Sequence, residues 1–162
     1  MKSLLIIRHA KSSWDNPLQH DFDRPLNKRG NKDAPEMAMR LKEKGIAIDG
    51  FISSPANRAL STAIYFAETY GVDSGSILQK KELYHAPVKV FYDVITQVED
   101  SCNTIAVFSH NPGITDFVNT LTNTRIDDMP TAGIFGIKAA INSWKDFSKG
   151  EKEFWFFDCP KA

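Results

Sequence analysis

The feature that most limits the fold of this chain is an alternation. Three short apolar stretches, "SLLII" (residues 3–7), "IDGFISSP" (48–55) and "NTIAVFSH" (103–110), each precede a segment whose apolar residues recur at helical spacing. Strands that are apolar on both faces and separated by helices predict a three-layer α/β/α fold with a mostly parallel central sheet. The helices are expected over "NKDAPEMAMRLKEKG" (31–45), "ANRALSTAIYFAETYG" (56–71), "VKVFYDVITQVE" (88–99) and "NPGITDFVNTLTN" (111–123). Gly45 and Gly71 read as C-terminal stops, Ser54 as an N-cap and Pro55 as a first helical residue; Pro35 should kink its helix or sit in the first turn. The last third, "GIFGIKAAI" and "EFWFFDCP" around the polar turn "NSWKDFSKGE", reads as an antiparallel hairpin added to the sheet, with its aromatics expected in buried strand.

With 162 residues the chain fits one domain, residues 1–162, and can bury a core without disulfides or metals. Lysine plus arginine equals aspartate plus glutamate at 20 each, so no broad nucleic-acid or anionic-membrane surface is expected, and any anion site must be local. Cys102 and Cys159 lie far apart in no metal-ligand spacing, and His20, His85 and the other histidines show no HxH or HxxxH pattern, so no metal and no cofactor is expected. The four aliphatics before Arg8 are too few for a signal peptide, which makes a cytoplasmic location the expectation.

Chemistry concentrates where strands end. The first ends in Arg8-His9, the second in Ser53-Ser54 with Arg58 one turn into the next helix, and "NTIAVFSH" in Ser109-His110 before another helix. Ligands of parallel sheets bind beyond the carboxyl ends of the strands, where helix N-termini also present free N–H groups. His9, Arg8, Arg58 and His110 therefore converge on a pocket suited to a compact dianion, and phosphate matches the paired donors of a guanidinium. A neutral imidazole there is also a competent nucleophile toward phosphorus. The long irregular segment from Arg8 to Gly30 is of a length that usually carries function.

"RHAKSSW", "SSPANRALSTA" and "FSHNPGI" resemble, in order and spacing, the three signature segments of the histidine phosphatase superfamily, the phosphoglycerate-mutase-like proteins. "RPLNKRG", "PTAGI" and the short connection from Arg58 to His110 resemble its small phosphohistidine phosphatase branch, the SixA type. The resemblance implies a phosphoglycerate-mutase-like fold, His9 as the phosphorylated nucleophile, Arg8, Arg58 and His110 as the rest of the phosphate pocket, and Ser12, Asn111 and Thr131 as further contacts. Arg24 is assigned to bracing the loop. Ala10 replaces the family's usual glycine, and Glu82 in "KELYHA" is the nearest match to its acid/base carboxylate, with a solvated loop glutamate the competing account and His85 a substitute donor.

The implied activity is metal-independent removal of phosphate from a histidine-phosphorylated protein. The imidazole of phosphohistidine leaves readily, whereas an alkoxide needs a general acid that is hard to place here. The alternatives are a small-molecule phosphomonoesterase or mutase, with a small phosphate ester as partner, and a catalytically silent phosphate-binding scaffold.

Overall fold

The structure, a computed structural model, describes residues 1–161. Strand β1 (Lys2–Arg8) is central: Leu4, Leu5, Ile6 and Ile7 are fully buried. Alternation along the strand sends Leu4 and Ile6 to one face of the sheet and Leu5 and Ile7 to the other, and each pair joins a separate hydrophobic cluster. A strand with two apolar faces needs cover on both, and the helices supply it.

Helices α1 (Lys28–Glu43) and α2 (Asn57–Thr69) bury Met37, Ala38, Leu41, Ala63 and Phe66 against the Leu5 and Ile7 face. Helices α3 (Val88–Thr96) and α4 (Gly113–Leu121) bury Phe91, Ile95, Ile114, Phe117 and Val118 against the Leu4 and Ile6 face. Burial of such side chains contributes about 1.5–3 kcal/mol each, an upper bound because the unfolded chain is already partly compact.

The sheet also contains β2 (Gly50–Ser53), β3 (Leu78–Gln79), β4 (Thr104–Ser109), β5 (Ile134–Ala139) and β6 (Lys152–Asp158), in the order β3-β2-β4-β1-β5-β6. The first four strands in the chain run parallel to one another, whereas β5 is antiparallel to β1 and β6 to β5. This is the expected mostly parallel sheet with an added hairpin.

Four details differ from the sequence reading. Helix α1 starts at Lys28 because the Asn27 side chain accepts from the Gly30 N–H at 2.9 Å, so Pro35 falls in the helix interior. Helix α2 starts at Asn57 rather than Pro55, which frees the Ser54 hydroxyl from capping it. The link between β5 and β6 is not simply polar: Trp144 and Phe147 are fully buried, and Trp144 Nε1 donates to the Cys102 carbonyl at 2.7 Å. Finally, β6 is an edge strand with Phe154 and Phe157 each 38% exposed, so the expected burial of all its aromatics does not occur; one flank has no neighbouring strand. No described helix is long and apolar enough to cross a membrane.

Candidate active site

Strands β1, β2 and β4 point the same way and end at Arg8, Ser53 and Ser109, at one edge of the sheet. Arg8 is in register with Ser109, so the residues that follow, His9 and His110, are neighbours although 101 positions separate them. The His9 N–H donates to the Ser109 carbonyl at 3.2 Å, and the Ser54 N–H to the Phe108 carbonyl at 3.0 Å. The ladder hydrogen bonding thus continues one residue past the strands and aims two imidazoles at one point.

A cleft of about 270 Å³ opens there. Arg8, His9, Ser12, Arg58, His110, Asn111 and Thr131 all line it, joined by Lys11, Trp14 and Arg24. Arg58 enters from the first turn of α2 and Thr131 from the loop before β5.

His9 is 6% exposed, and its Nδ1 lies 2.7 Å from the Ala10 carbonyl. A carbonyl only accepts, so Nδ1 carries the hydrogen and Nε2 is left with a bare lone pair. Burial, reinforced by Arg58, Arg8 and Arg24, pushes the ring's pKa down to about 3, against the bond to Ala10. Ala10 itself is fully buried, donates its N–H to Thr62 Oγ1 at 3.0 Å, and has no positive φ that would call for glycine.

His110 lies with its Nε2 2.8 Å from Ser54 Oγ. That oxygen already accepts from the Ala56 N–H at 3.2 Å, and we assign its own hydrogen to His110 Nε2, which leaves Nδ1–H as a donor. Burial, then the neighbouring His9 and Arg58, holds this ring neutral as well. Among the described residues, His110 Nδ1 and Arg8 Nε are the buried side-chain nitrogens without a partner. Buried donors are costly to leave unpaired, and these two belong to side chains that line the cleft.

The residue that sequence reasoning missed is Asp21. Its Oδ1 accepts from Arg24 Nη1 at 2.8 Å, and its Oδ2 accepts from Arg58 Nη2 at 3.0 Å and from the Tyr84 hydroxyl at 2.6 Å. Arg58 Nη1 also donates to the Asp21 carbonyl at 2.7 Å. Burial alone would raise the pKa of this carboxyl, but the hydrogen bonds from Tyr84, Arg24 and Arg58 outweigh it and hold the group far below the usual carboxylate range. The signal was present in "HDFDRPL", where an acid three residues before Arg24 suits a local ion pair, yet an aperiodic loop gives no spacing from which to place it.

Glu82, the carboxylate proposed from the sequence, does not join the cleft. It lines a separate recess with Lys80, Val90 and Asp93, because the short turn Lys81–Leu83 buries Leu83 inward and leaves Glu82 outside. His85 comes closer, with Nε2 3.9 Å from Asp21 Oδ2, and is 64% exposed at its side chain. Arg24 does more than brace: Nε donates to the Ser13 carbonyl at 3.0 Å and Nη2 donates to Ser12 Oγ, while the guanidinium also lines the cleft. Ser12 therefore reaches the site already engaged by Arg24. The Asn111 side chain donates to Asp128 and the Met129 carbonyl, at 2.8 and 3.0 Å, which ties it to the loop that carries Thr131. Among the described residues, no three His, Cys, Asp or Glu side chains gather as a metal-ligand set.

An α/β sheet that collects imidazoles and guanidiniums beyond its strand ends defines a class of anion-handling proteins, and comparison with known sequences narrows it. The sequence model of the histidine phosphatase superfamily (branch 1) matches residues 4–84, and the chain belongs to that superfamily. An uncharacterised protein of Mycobacterium tuberculosis is 29% identical over 165 residues, covering 96% of this chain and 100% of the relative. Other matches are partial. A 2,3-bisphosphoglycerate-dependent phosphoglycerate mutase of Gloeothece citriformis is 38% identical over 43% of this chain, which is 31% of the mutase. An uncharacterised chloroplastic protein of Arabidopsis thaliana is 41% identical over 38% of this chain and 28% of its own length.

Among solved structures, the fold superposes on a SixA protein from Agrobacterium tumefaciens with a TM-score of 0.81 at 23% identity, covering 99% of both chains. It superposes equally, at 0.81 and 21% identity, on the protein histidine phosphatase SixA in complex with tungstate, over 97% of this chain and 96% of that one. The fold is thus of the phosphoglycerate-mutase-like type.

Proposed function

We propose that the protein is a phosphohistidine phosphatase that works through a phosphoenzyme on His9. The observation that carries this reading is the bond from His9 Nδ1 to the Ala10 carbonyl, which fixes the tautomer and leaves Nε2 free among Arg8, Arg58 and His110. In the first step, the Nε2 lone pair forms a bond to phosphorus as the bond from phosphorus to the substrate's leaving atom breaks. In the second, water attacks the phosphorus of phospho-His9, inorganic phosphate leaves, and the neutral imidazole is restored. Arg8, Arg58 and the His110 Nδ1–H stabilise charge on the transferring oxygens, which is electrostatic positioning. Ser12, Asn111 and Thr131 complete the wall of the pocket.

The leaving group decides the substrate. An alkoxide must be protonated as it departs, but the carboxylate beside Arg58 is Asp21, which is held ionised and is a poor proton donor. The imidazole of phosphohistidine has an ordinary pKa of about 6.5 and departs without a strong general acid. A phosphoramidate P–N bond therefore suits this site better than an unactivated phosphate ester, and a protein-borne phosphohistidine suits an open cleft. SixA, one of the structural neighbours, is described as a protein histidine phosphatase, which supports the same reading.

The test is phosphate release from a phosphohistidine peptide and from p-nitrophenyl phosphate by wild type and His9→Ala. Turnover of the peptide that disappears in His9→Ala is expected. Faster release from sugar phosphates than from the peptide would sink the substrate assignment and favour a small-molecule phosphomonoesterase. Phosphate binding without any turnover would make the cleft a receptor.

A further inference from the structure

The segment from Lys11 to Asn27 leaves the end of β1 and returns to it: Ser12 pairs with Leu26, and the Asn27 N–H donates to the Lys11 carbonyl at 3.0 Å. Both arms of this loop bear on the cleft. On one arm Trp14 lines it, with the Arg24 guanidinium 3.2 Å from the centre of its ring; on the other Asp21 holds Arg58. Along the same loop three large apolar side chains face solvent, Trp14 at 76%, Leu18 at 92% and Phe22 at 38% exposure. Phe22 rests edge-on against Tyr84, with ring centroids 5.2 Å apart, and Tyr84 in turn donates to Asp21. None of the three belongs to either core cluster.

A lone exposed leucine means little, whereas large apolar side chains along a loop that borders a site point to contact with a partner. The cleft says what the partner is. A phosphoryl group seated between His9 and Arg58 fixes the position of the atom that bears it, and whatever that atom belongs to must leave past the rim. A small phosphate compound ends within a cleft of about 270 Å³. A phosphorylated residue inside a polypeptide continues outward on both sides and lies across the loop. Exposed charges on this loop are mixed, Lys11 against Asp15 and Asp23, so attraction by net charge is weak and apolar contact is what remains.

We propose that Trp14, Leu18 and Phe22 form a docking rim for a phosphorylated polypeptide that carries apolar side chains on either side of the phosphorylated residue. This rests on the phosphoprotein reading above. Because Trp14 stacks on Arg24, and Arg24 holds Asp21, seating of the polypeptide is linked directly to the phosphate pocket.

The experiment compares two phosphohistidine peptides that are identical except for leucine or serine on each side of the phosphohistidine. Wild type is expected to show a kcat/KM about 10-fold or more higher for the leucine peptide, the effect of burying one leucine side chain. Leu18→Asp should lower that ratio, with Trp14 and Phe22 still contributing; Leu18 is 92% exposed, so the variant folds. The same ratio is read as affinity by titrating both peptides into His9→Ala, which cannot turn them over. Failure of wild type to hydrolyse either peptide, with the leucine preference still present in His9→Ala, would refute the phosphatase reading and keep the rim. Equal affinity of His9→Ala for the two peptides, or a preference that Leu18→Asp leaves unchanged, would overturn the rim whatever the turnover.

Discussion

The rings of His9 and His110 lie 5.3 Å apart, centroid to centroid, tilted by 50°. Two imidazoles this close, both buried and facing arginines, cannot both be charged, and burial keeps both neutral.

Stability should therefore fall in mild acid. His9 titrates near 6.5 in the unfolded chain and near 3 in the fold, so between those values the unfolded state binds the extra proton. The stabilisation is fully present above about pH 6.5 and declines as pH drops toward 3, by up to about 1.4 kcal/mol per pH unit for one such group. Denaturant unfolding at pH 7, 5 and 4 measures this, and His9→Ala should make the dependence shallower, with His110 still contributing. An equally steep decline in His9→Ala would show that other groups cause it.

Asp21→Asn removes the negative charge and keeps one acceptor oxygen, for either Arg24 or Arg58 and Tyr84, while its NH2 group faces the other side. Inorganic phosphate should bind more tightly, by about 5-fold given that the Asp21 side chain is 41% exposed and the charge is partly screened. Calorimetric titration of phosphate provides the comparison; unchanged or weaker affinity would mean that Asp21 serves the pocket mainly by holding the arginines in place.

Ser54→Ala leaves His110 Nε2 buried without its partner at 2.8 Å. A cost of about 1–3 kcal/mol in stability is expected. Turnover should fall more than KM rises, because the loss is in orienting the Nδ1 donor. Ser54→Thr should recover most of the activity, and recovery without the hydroxyl would argue against this bond.

Gly30 stands where α1 meets the loop behind His9, and a Cβ there would come within 2.1 Å of the Lys11 carbonyl oxygen. Gly30→Ala should destabilise by about 1–3 kcal/mol, the usual cost of overpacking, and should weaken phosphate binding as Lys11 and Ser12 are pushed aside. Thermal unfolding together with the phosphate titration tests both effects.

Much of this architecture was legible from residue order. A strand apolar on two faces requires helices on two sides, and residues that end neighbouring parallel strands must meet; His9, Arg58 and His110 needed no further information to be placed together. Where the signal failed, it did so for physical reasons. Strand β3 has only two residues, both exposed, so it has no period to detect. Asp21 and Glu82 are carboxylates in stretches without periodicity, and their positions depend on turns that hydrophobic spacing does not encode. Trp144 and Phe147 sit in a segment whose polar neighbours concealed that it caps the core.

The pairing of Arg8 with Ser109 has a consequence for how the protein comes apart. His9 and His110 hang from two adjacent interior strands, whose amides should exchange with solvent only when the whole molecule opens. The loop that carries Trp14 and Leu18 is tied to that frame through Asp21, which accepts from Arg58 and Tyr84, and through Arg24, which donates to the Ser13 carbonyl. Lifting the loop would break the bonds that position Arg58, so the surface that meets a partner and the groups that meet phosphate stand or fall together.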